Sequence, residues 1–135
     1  MSEQNIELAR AYADAFATGG LDAIAGFWDP EINWRAAEGA PDDVGEIQGI
    51  AAMRRYVQDW VDMFDDFRVV PDEIRDIGDG RVIAVLRIAG RAKISGLETE
   101  LRFAAVYVIR GDKIVRGREY MTLEEALNAV GAGGV

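Results

Sequence analysis

The chain has 135 residues, a hydrophobic fraction of 50% and a formal net charge of −9 at pH 7, which is the composition of a globular domain. The acidic balance argues against nucleic acids and anionic membranes as partners, because both are recognised by basic surfaces. The chain contains no Cys and no His, so the usual zinc sites, thiolate nucleophiles and Ser–His pairs are excluded.

The first part of the chain predicts two helices, a short strand and a third helix. Apolar residues at helical spacing predict the first helix over Ser2–Thr18, and a short second helix ends before Pro30. Ile32–Arg35 is predicted to be a short strand that carries Trp34, and Ile50–Phe64 a third helix. The apolar stripe of that helix consists of Ile50, Met53, Val57, Trp60, Val61 and Phe64.

Ala36–Gln48 is predicted to be a loop, since it contains Gly39, Pro41 and Gly45. It is longer than most connections between elements, and long loops often serve as lids or binding loops. A plain surface loop is the alternative, and the sequence leaves both open.

The second part of the chain predicts a sheet. Phe67–Ile77 reads as a strand in which Pro71 favours an edge or a bulge. Three long antiparallel strands follow, with Gly at their turns: Arg81–Ala92, Leu97–Arg110 and Lys113–Met121.

A last helix begins at the capping box Thr122–Glu125 and runs to Ala129, and Gly131–Val135 is expected to fray. A sheet of this length needs helices over one face. Residues 1–135 are therefore predicted to form a single α+β domain, with three or four helices on a mostly antiparallel sheet.

Strand alternation sorts the residues of the long strands by face. Leu101, Phe103, Ala105, Tyr107 and Ile109 share one face of the middle strand. On the last strand the more apolar face is expected to hold Val115, Gly117, Glu119 and Met121, and the other face Ile114, Arg116, Arg118 and Tyr120. Glu119 is then the only ionisable residue on the apolar faces, and burial is expected to raise its pKa from about 4.3 towards about 6–7.

Two alternatives stay open for Glu119. Its side chain could point outward or pair with Arg102 or Arg118. A slip of one residue in the register would exchange the faces and bring Arg116 and Arg118 inside.

No signal peptide and no apolar run long enough to span a membrane is evident. A cytoplasmic location is the expectation. No Gly-rich phosphate loop opens a helix, so neither a cofactor nor a metal is expected. The remaining chemistry is acid–base work by Asp or Glu, with Tyr and Arg as hydrogen-bond donors.

The order of elements resembles the nuclear transport factor 2-like fold, and within it the SnoaL-like group. The stretches that carry the resemblance are GGLDAIAGFWDPEINW at Gly19–Trp34, GEIQGIAAMRRYV at Gly45–Val57 and RFAAVYVIRGDKIVRGREYMTLEEALNAVG at Arg102–Gly131. The resemblance implies a cone, in which a curved sheet surrounds an apolar pocket that the helices close. It also implies a homodimer through the outer face of the sheet, where Ile83, Val85, Val106 and Val108 would lie.

Ketosteroid isomerases of the same fold use a carboxylate base, a Tyr donor and a protonated Asp. Tyr12 matches the Tyr position. The position of the base falls on Arg35, and that of the protonated Asp falls among Phe103, Ala104 and Ala105. The resemblance therefore argues against classical ketosteroid isomerase activity.

Two classes of function follow from the resemblance. One is an enzyme that transfers protons on a small apolar or cyclic substrate, in cyclisation, isomerisation, dehydration or hydrolysis. The other is a binding or dimerisation module without catalysis. In the enzyme, Glu119 would transfer the proton and Tyr12 would donate a hydrogen bond to a substrate oxygen, with Glu38 as the next acid to consider. The residues expected to line the pocket are Phe16, Trp34, Met53, Trp60, Phe103, Tyr107 and Met121.

Overall fold

The computed structural model describes residues 2–39 and 44–131. Those residues form, in chain order, α1 (Ser2–Thr18), α2 (Gly20–Ala25), β1 (Trp28–Arg35), β2 (Glu46–Gln48), α3 (Ile50–Asp62), β3 (Phe64–Gly78), β4 (Arg81–Ala92), β5 (Glu98–Arg110), β6 (Lys113–Tyr120) and α4 (Leu123–Gly131).

The six strands form one sheet in the order β2-β1-β6-β5-β4-β3. Every neighbouring pair is antiparallel except β1 and β6, which run parallel. The prediction of an α+β fold with a curved, mostly antiparallel sheet is confirmed. β3 is an edge strand with a register shift between Pro71 and Glu73, as the proline predicted.

The main core lies between the inner face of the sheet and the first three helices. Alternate residues of β4 and β5, including Val82, Leu86, Ala105 and Tyr107, face α1 and α3 across this layer. The core also contains the buried aromatic residues Tyr12, Trp28 and Trp34. Burial of these large side chains contributes to the hydrophobic stabilisation of the fold.

The last helix packs on the outer face of the sheet. Ala126 of α4 is fully buried against Ile83, Ala104 and Val106, with Leu123 and Val130 beside them. Ile83 and Val106 are two of the residues for which a dimer partner was expected, and α4 of the same chain covers them. The homodimer stays a prediction.

Three expectations about local structure are wrong. The predicted loop Ala36–Gln48 contains strand β2, which pairs with the end of β1. A bulge in β6 lets Ile114 pair with Ile109, so Ile114 rather than Val115 is buried in the inner core. β3 begins at Phe64, where the sequence had placed the end of the third helix. Residues 40–43 of the predicted loop and 132–135 of the predicted tail lie outside the described residues.

Candidate functional site

The carboxylate of Glu119 is held by two hydrogen-bond donors. The indole N–H of Trp34 donates to Glu119 Oε2 at 2.9 Å, and the hydroxyl of Tyr56 donates to Glu119 Oε1 at 2.9 Å. Strand β6 places Glu119 opposite Ala105, on the inner face of the sheet. Each carboxylate oxygen thus has its own donor, which fixes the orientation of the group.

Trp34 reaches Glu119 because the neighbouring strand leaves room for its ring. Gly117 is the pairing partner of Trp34 in the parallel β1–β6 ladder. A Cβ atom at position 117 would lie 2.7 Å from Trp34 Cδ2 and closer still to Cε3 and Cζ3. Only glycine fits at this position without a shift of the indole.

The hydroxyl of Tyr12 lies inside the aromatic core. It accepts a hydrogen bond of 3.1 Å from the indole N–H of Trp28. The ring of Tyr12 is 5.8 Å from that of Tyr107, which lies 5.6 Å from Trp34. Burial strongly raises the pKa of Tyr12, the Trp28 hydrogen bond opposes that rise, and the negative charge of Glu119 adds to it. Burial likewise raises the pKa of Tyr107, with smaller contributions from Tyr12 and Glu119, so both phenols are neutral at pH 7.

Glu119 also lines a cleft of about 530 Å³ at the end of β1 and β6. This volume falls in the range of small-molecule sites. The cleft combines charged side chains with a few apolar ones. Its lining residues are Arg35, Ala36, Ala37, Glu38, Arg116, Arg118, Glu119, Tyr120, Met121, Glu125 and Asn128.

The residues predicted to form one apolar pocket are divided among three places. Tyr12, Trp34, Met53 and Tyr107 are buried in the main core, with Phe16 packed against it. Trp60 stacks on Phe64 in a second apolar cluster, against which Phe103 also packs. Of the predicted site residues, Glu119 and Met121 line the cleft, together with Glu38.

Tyr56 was not among the residues predicted for the site, and Arg116 and Arg118 were expected there only after a register slip of one residue. Tyr56 follows Met53 by three positions and precedes Trp60 by four, so helical spacing could have placed it on the face that packs on the sheet. The position of Arg35 beside Arg118 depends on the parallel pairing of β1 and β6, which no local pattern reveals.

The described part of the chain contains neither a cluster of metal ligands nor a membrane-spanning helix. No group of three His, Cys, Asp or Glu side chains there is arranged to hold a metal ion. No helix among the described residues is long and apolar enough to cross a membrane.

A family model for the SnoaL-like domain matches residues 9–117. No curated protein matches the chain significantly.

Several solved structures share the fold. Bal32a from a soil-derived mobile gene cassette aligns with a TM-score of 0.76 at 21% identity, over 93% of this chain and 95% of that one. A putative polyketide cyclase from Xanthomonas campestris pv. campestris aligns with a TM-score of 0.72 at 23% identity, over 96% and 98%. TerC, co-crystallised with polyporic acid, aligns with a TM-score of 0.73 at 18% identity, over 95% and 98%. At these identities the similarity shows the fold.

Proposed function

The chain belongs to the SnoaL-like domain family, and from this premise we propose that it binds a small cyclic molecule in the cleft beside Glu119 and transfers a proton on it. The observation that carries the proposal is the double hydrogen bond from Trp34 and Tyr56 to Glu119, in a residue that also lines the cleft. A carboxylate oriented by fixed donors is suited to proton transfer, because its oxygens are held in place before the substrate arrives.

In the proposed step, Glu119 removes a proton from a carbon next to a carbonyl group. The electron pair of the broken C–H bond moves into the C–C bond to form an enolate, and negative charge develops on the carbonyl oxygen. The proton then returns from Glu119 to the same carbon or to another one. Trp34 and Tyr56 are positioning residues in this step, since they act through Glu119.

Similar proteins support a small-molecule ligand. One aligned structure is described as a putative polyketide cyclase, and another was co-crystallised with polyporic acid. Aldol-type cyclisations and keto–enol isomerisations both begin with the removal of a proton beside a carbonyl group. The charged lining of the cleft favours a cyclic ligand with polar groups over the purely apolar molecule expected from the sequence.

Binding without catalysis is the second candidate. It is favoured by the packing of Tyr12, Trp28, Trp34 and Tyr107 against one another in the space where an apolar pocket was expected. In that case the hydrogen bonds to Glu119 would serve only to stabilise the fold.

Hydrogen–deuterium exchange on bicyclic ketones such as 2-tetralone tests whether the protein catalyses proton transfer. The wild-type protein in D₂O is expected to accelerate exchange at the carbon next to the carbonyl, as followed by NMR. Glu119→Gln keeps the shape of the side chain and is expected to reduce the rate by about 10²–10⁴. Glu124→Gln, an exposed acid on α4, is the control. Exchange that is equal in wild type and Glu119→Gln would exclude the proposed role. Ketone binding without exchange would favour the second candidate.

A homodimer and a cytoplasmic location are further parts of the proposal. The dimer would use the outer face of the sheet that α4 leaves uncovered, where Val85 and Val108 are partly buried. Light scattering at tens of micromolar protein tests the dimer, and fractionation of the source cells tests the location.

A further inference from the structure

One wall of the cleft presents guanidinium groups from two neighbouring strands. Arg116 and Arg118 are two positions apart on β6, so their side chains leave the same face of the sheet. Arg35 of β1 pairs with Arg118 in the parallel ladder and therefore shares that face. All three residues line the cleft.

Arg118 is held in position by neutral oxygen atoms. Its guanidinium donates to Asn33 Oδ1 at 2.6 Å, to the carbonyl oxygen of Gly117 at 2.8 Å and to that of Asn33 at 3.4 Å. The amide of Asn33 donates in turn to Gln48 Oε1 at 2.6 Å, which fixes its orientation. These bonds occupy part of the N–H fork of Arg118, and all three acceptors are neutral.

The neighbouring Arg116 is exposed, whereas Arg118 is partly buried. Among the residues that the structure describes, no carboxylate lies within 4.0 Å of the guanidinium of Arg116 or Arg118. Burial lowers the pKa of Arg118, and the positive charge of Arg116 lowers it further, against an opposing effect of Glu46. Two guanidinium groups without a carboxylate in direct contact give this wall a local positive charge, in a chain whose net charge is −9.

The acids that line the cleft are engaged elsewhere or exposed. Glu119 accepts hydrogen bonds from Trp34 and Tyr56 on the inner side of the sheet. Glu125 belongs to the capping box of α4, where its carboxylate Oε2 accepts a hydrogen bond of 3.4 Å from the hydroxyl of Thr122. Glu38 is exposed after the end of β1.

We infer that Arg116 and Arg118 bind the carboxylate of a small cyclic acid in this cleft. A carboxylate is planar and accepts two parallel hydrogen bonds from a guanidinium fork. Met121, an exposed side chain of the same cleft, offers apolar contact to the ring of such a molecule. The inference depends on the proposed function for the location of the site, and it deepens that function by assigning a charge to the ligand.

Isothermal titration calorimetry with 2-naphthoate tests the inference, and 2-naphthamide is the neutral probe of nearly the same shape. Wild-type protein is expected to bind the carboxylate at least about tenfold more tightly than the amide, because hydrogen bonds to charged groups contribute more than neutral ones. Equal affinity for the two probes, or no binding of 2-naphthoate at millimolar concentration, would overturn the inference.

Substitutions of the two arginines test whether they bind the carboxylate. Arg116→Gln is expected to weaken the binding of 2-naphthoate by about tenfold and to leave that of 2-naphthamide nearly unchanged. Arg118→Lys keeps the charge but loses the fork, so it is expected to weaken carboxylate binding as well. Arg10→Gln, an exposed cation on α1 outside the cleft, is the control for net charge. Thermal unfolding of each variant shows whether it is folded, and unchanged 2-naphthoate binding in folded Arg116→Gln would refute the assignment.

The two proposals can fail separately, since 2-naphthoate offers no proton beside a ketone. Arginine-dependent binding of 2-naphthoate without ketone exchange would reject proton transfer and keep the carboxylate site. If ketone exchange depends on Glu119 but the arginine substitutions do not change 2-naphthoate binding, the carboxylate site is rejected and proton transfer is kept.

Discussion

The aromatic core and the arginine-lined wall of the cleft lie on opposite faces of the same strand. Gly117 and Glu119 of β6 turn inward to Trp34, whereas Arg116 and Arg118 turn outward. On the inner face, close contact with the Trp34 indole requires glycine at position 117. On the outer face, charges stand beside a cleft, and sterics place few demands on them.

This difference separates stability from binding along one strand. Substitutions on the inner face should change the free energy of unfolding, because they alter packing or leave buried polar groups without partners. Substitution of the exposed Arg116 on the outer face should change ligand affinity and leave stability nearly unchanged. Glu119 belongs to both regions, since it packs inward and lines the cleft.

Gly117→Val is expected to have the largest effect on stability. The added side chain would occupy the position of the Trp34 indole, and overpacking should lower the free energy of unfolding by about 3 kcal/mol or more. Urea denaturation measures the change. Gly131→Ala is the control, because a Cβ atom there meets nothing within 4 Å. Equal stability of the two variants would contradict the close fit at Trp34.

Tyr12→Phe should have the next largest effect. It leaves the buried indole N–H of Trp28 without its acceptor, at a cost of about 2 kcal/mol in the free energy of unfolding. Tyr120→Phe serves as the comparison, since Tyr120 is only partly buried and no side-chain hydrogen bond is described for it. The cost of Tyr12→Phe should shrink in a Trp28→Phe background, and an undiminished cost would show that the hydrogen bond is not its source.

Tyr56→Phe should have a smaller effect on stability and should also change the pKa of Glu119. Loss of the hydrogen bond to the carboxylate should lower the free energy of unfolding by about 1 kcal/mol. Because a donor to a carboxylate favours its charged form, the pKa of Glu119 should be higher in the variant than in wild type. NMR titration of labelled carboxyl groups, assigned with Glu119→Gln, measures both values, and an unchanged pKa would argue that this hydrogen bond does not control the group.

The smallest expected effect appears only at alkaline pH. Burial raises the pKa of Tyr107 well above 10.0, so the folded protein retains a phenol proton that the unfolded chain loses near pH 10. The resulting stabilisation is complete below pH 10 and is lost as the pH rises through the folded-state pKa. Tyr107→Phe should therefore make stability fall less steeply above pH 10. Urea denaturation at a series of pH values measures this slope, and parallel curves for the two proteins would contradict it.

Much of the candidate site depends on contacts that join distant parts of the chain. Alternation in β5 and β6 predicted Glu119 as the acid on the inner face, and the structure places it there. The same pattern could not predict its partners, because Trp34 and Tyr56 are separated from it by 85 and 63 positions. The expected apolar pocket could not be tested by periodicity either, since a buried aromatic residue gives the same pattern whether it lines a cavity or fills one.

The sequence by itself determined the α+β architecture, most helix and strand positions and the face on which Glu119 lies, because these depend on local periodicity and on turn residues. The tertiary structure decided three other features: the bulge that brings Ile114 inward, the packing of α4 over Ile83 and Val106, and the parallel pairing that sets Arg35 beside Arg118. Each of these depends on which strands and helices meet, and that choice is made by the packing of the whole chain rather than by any short segment.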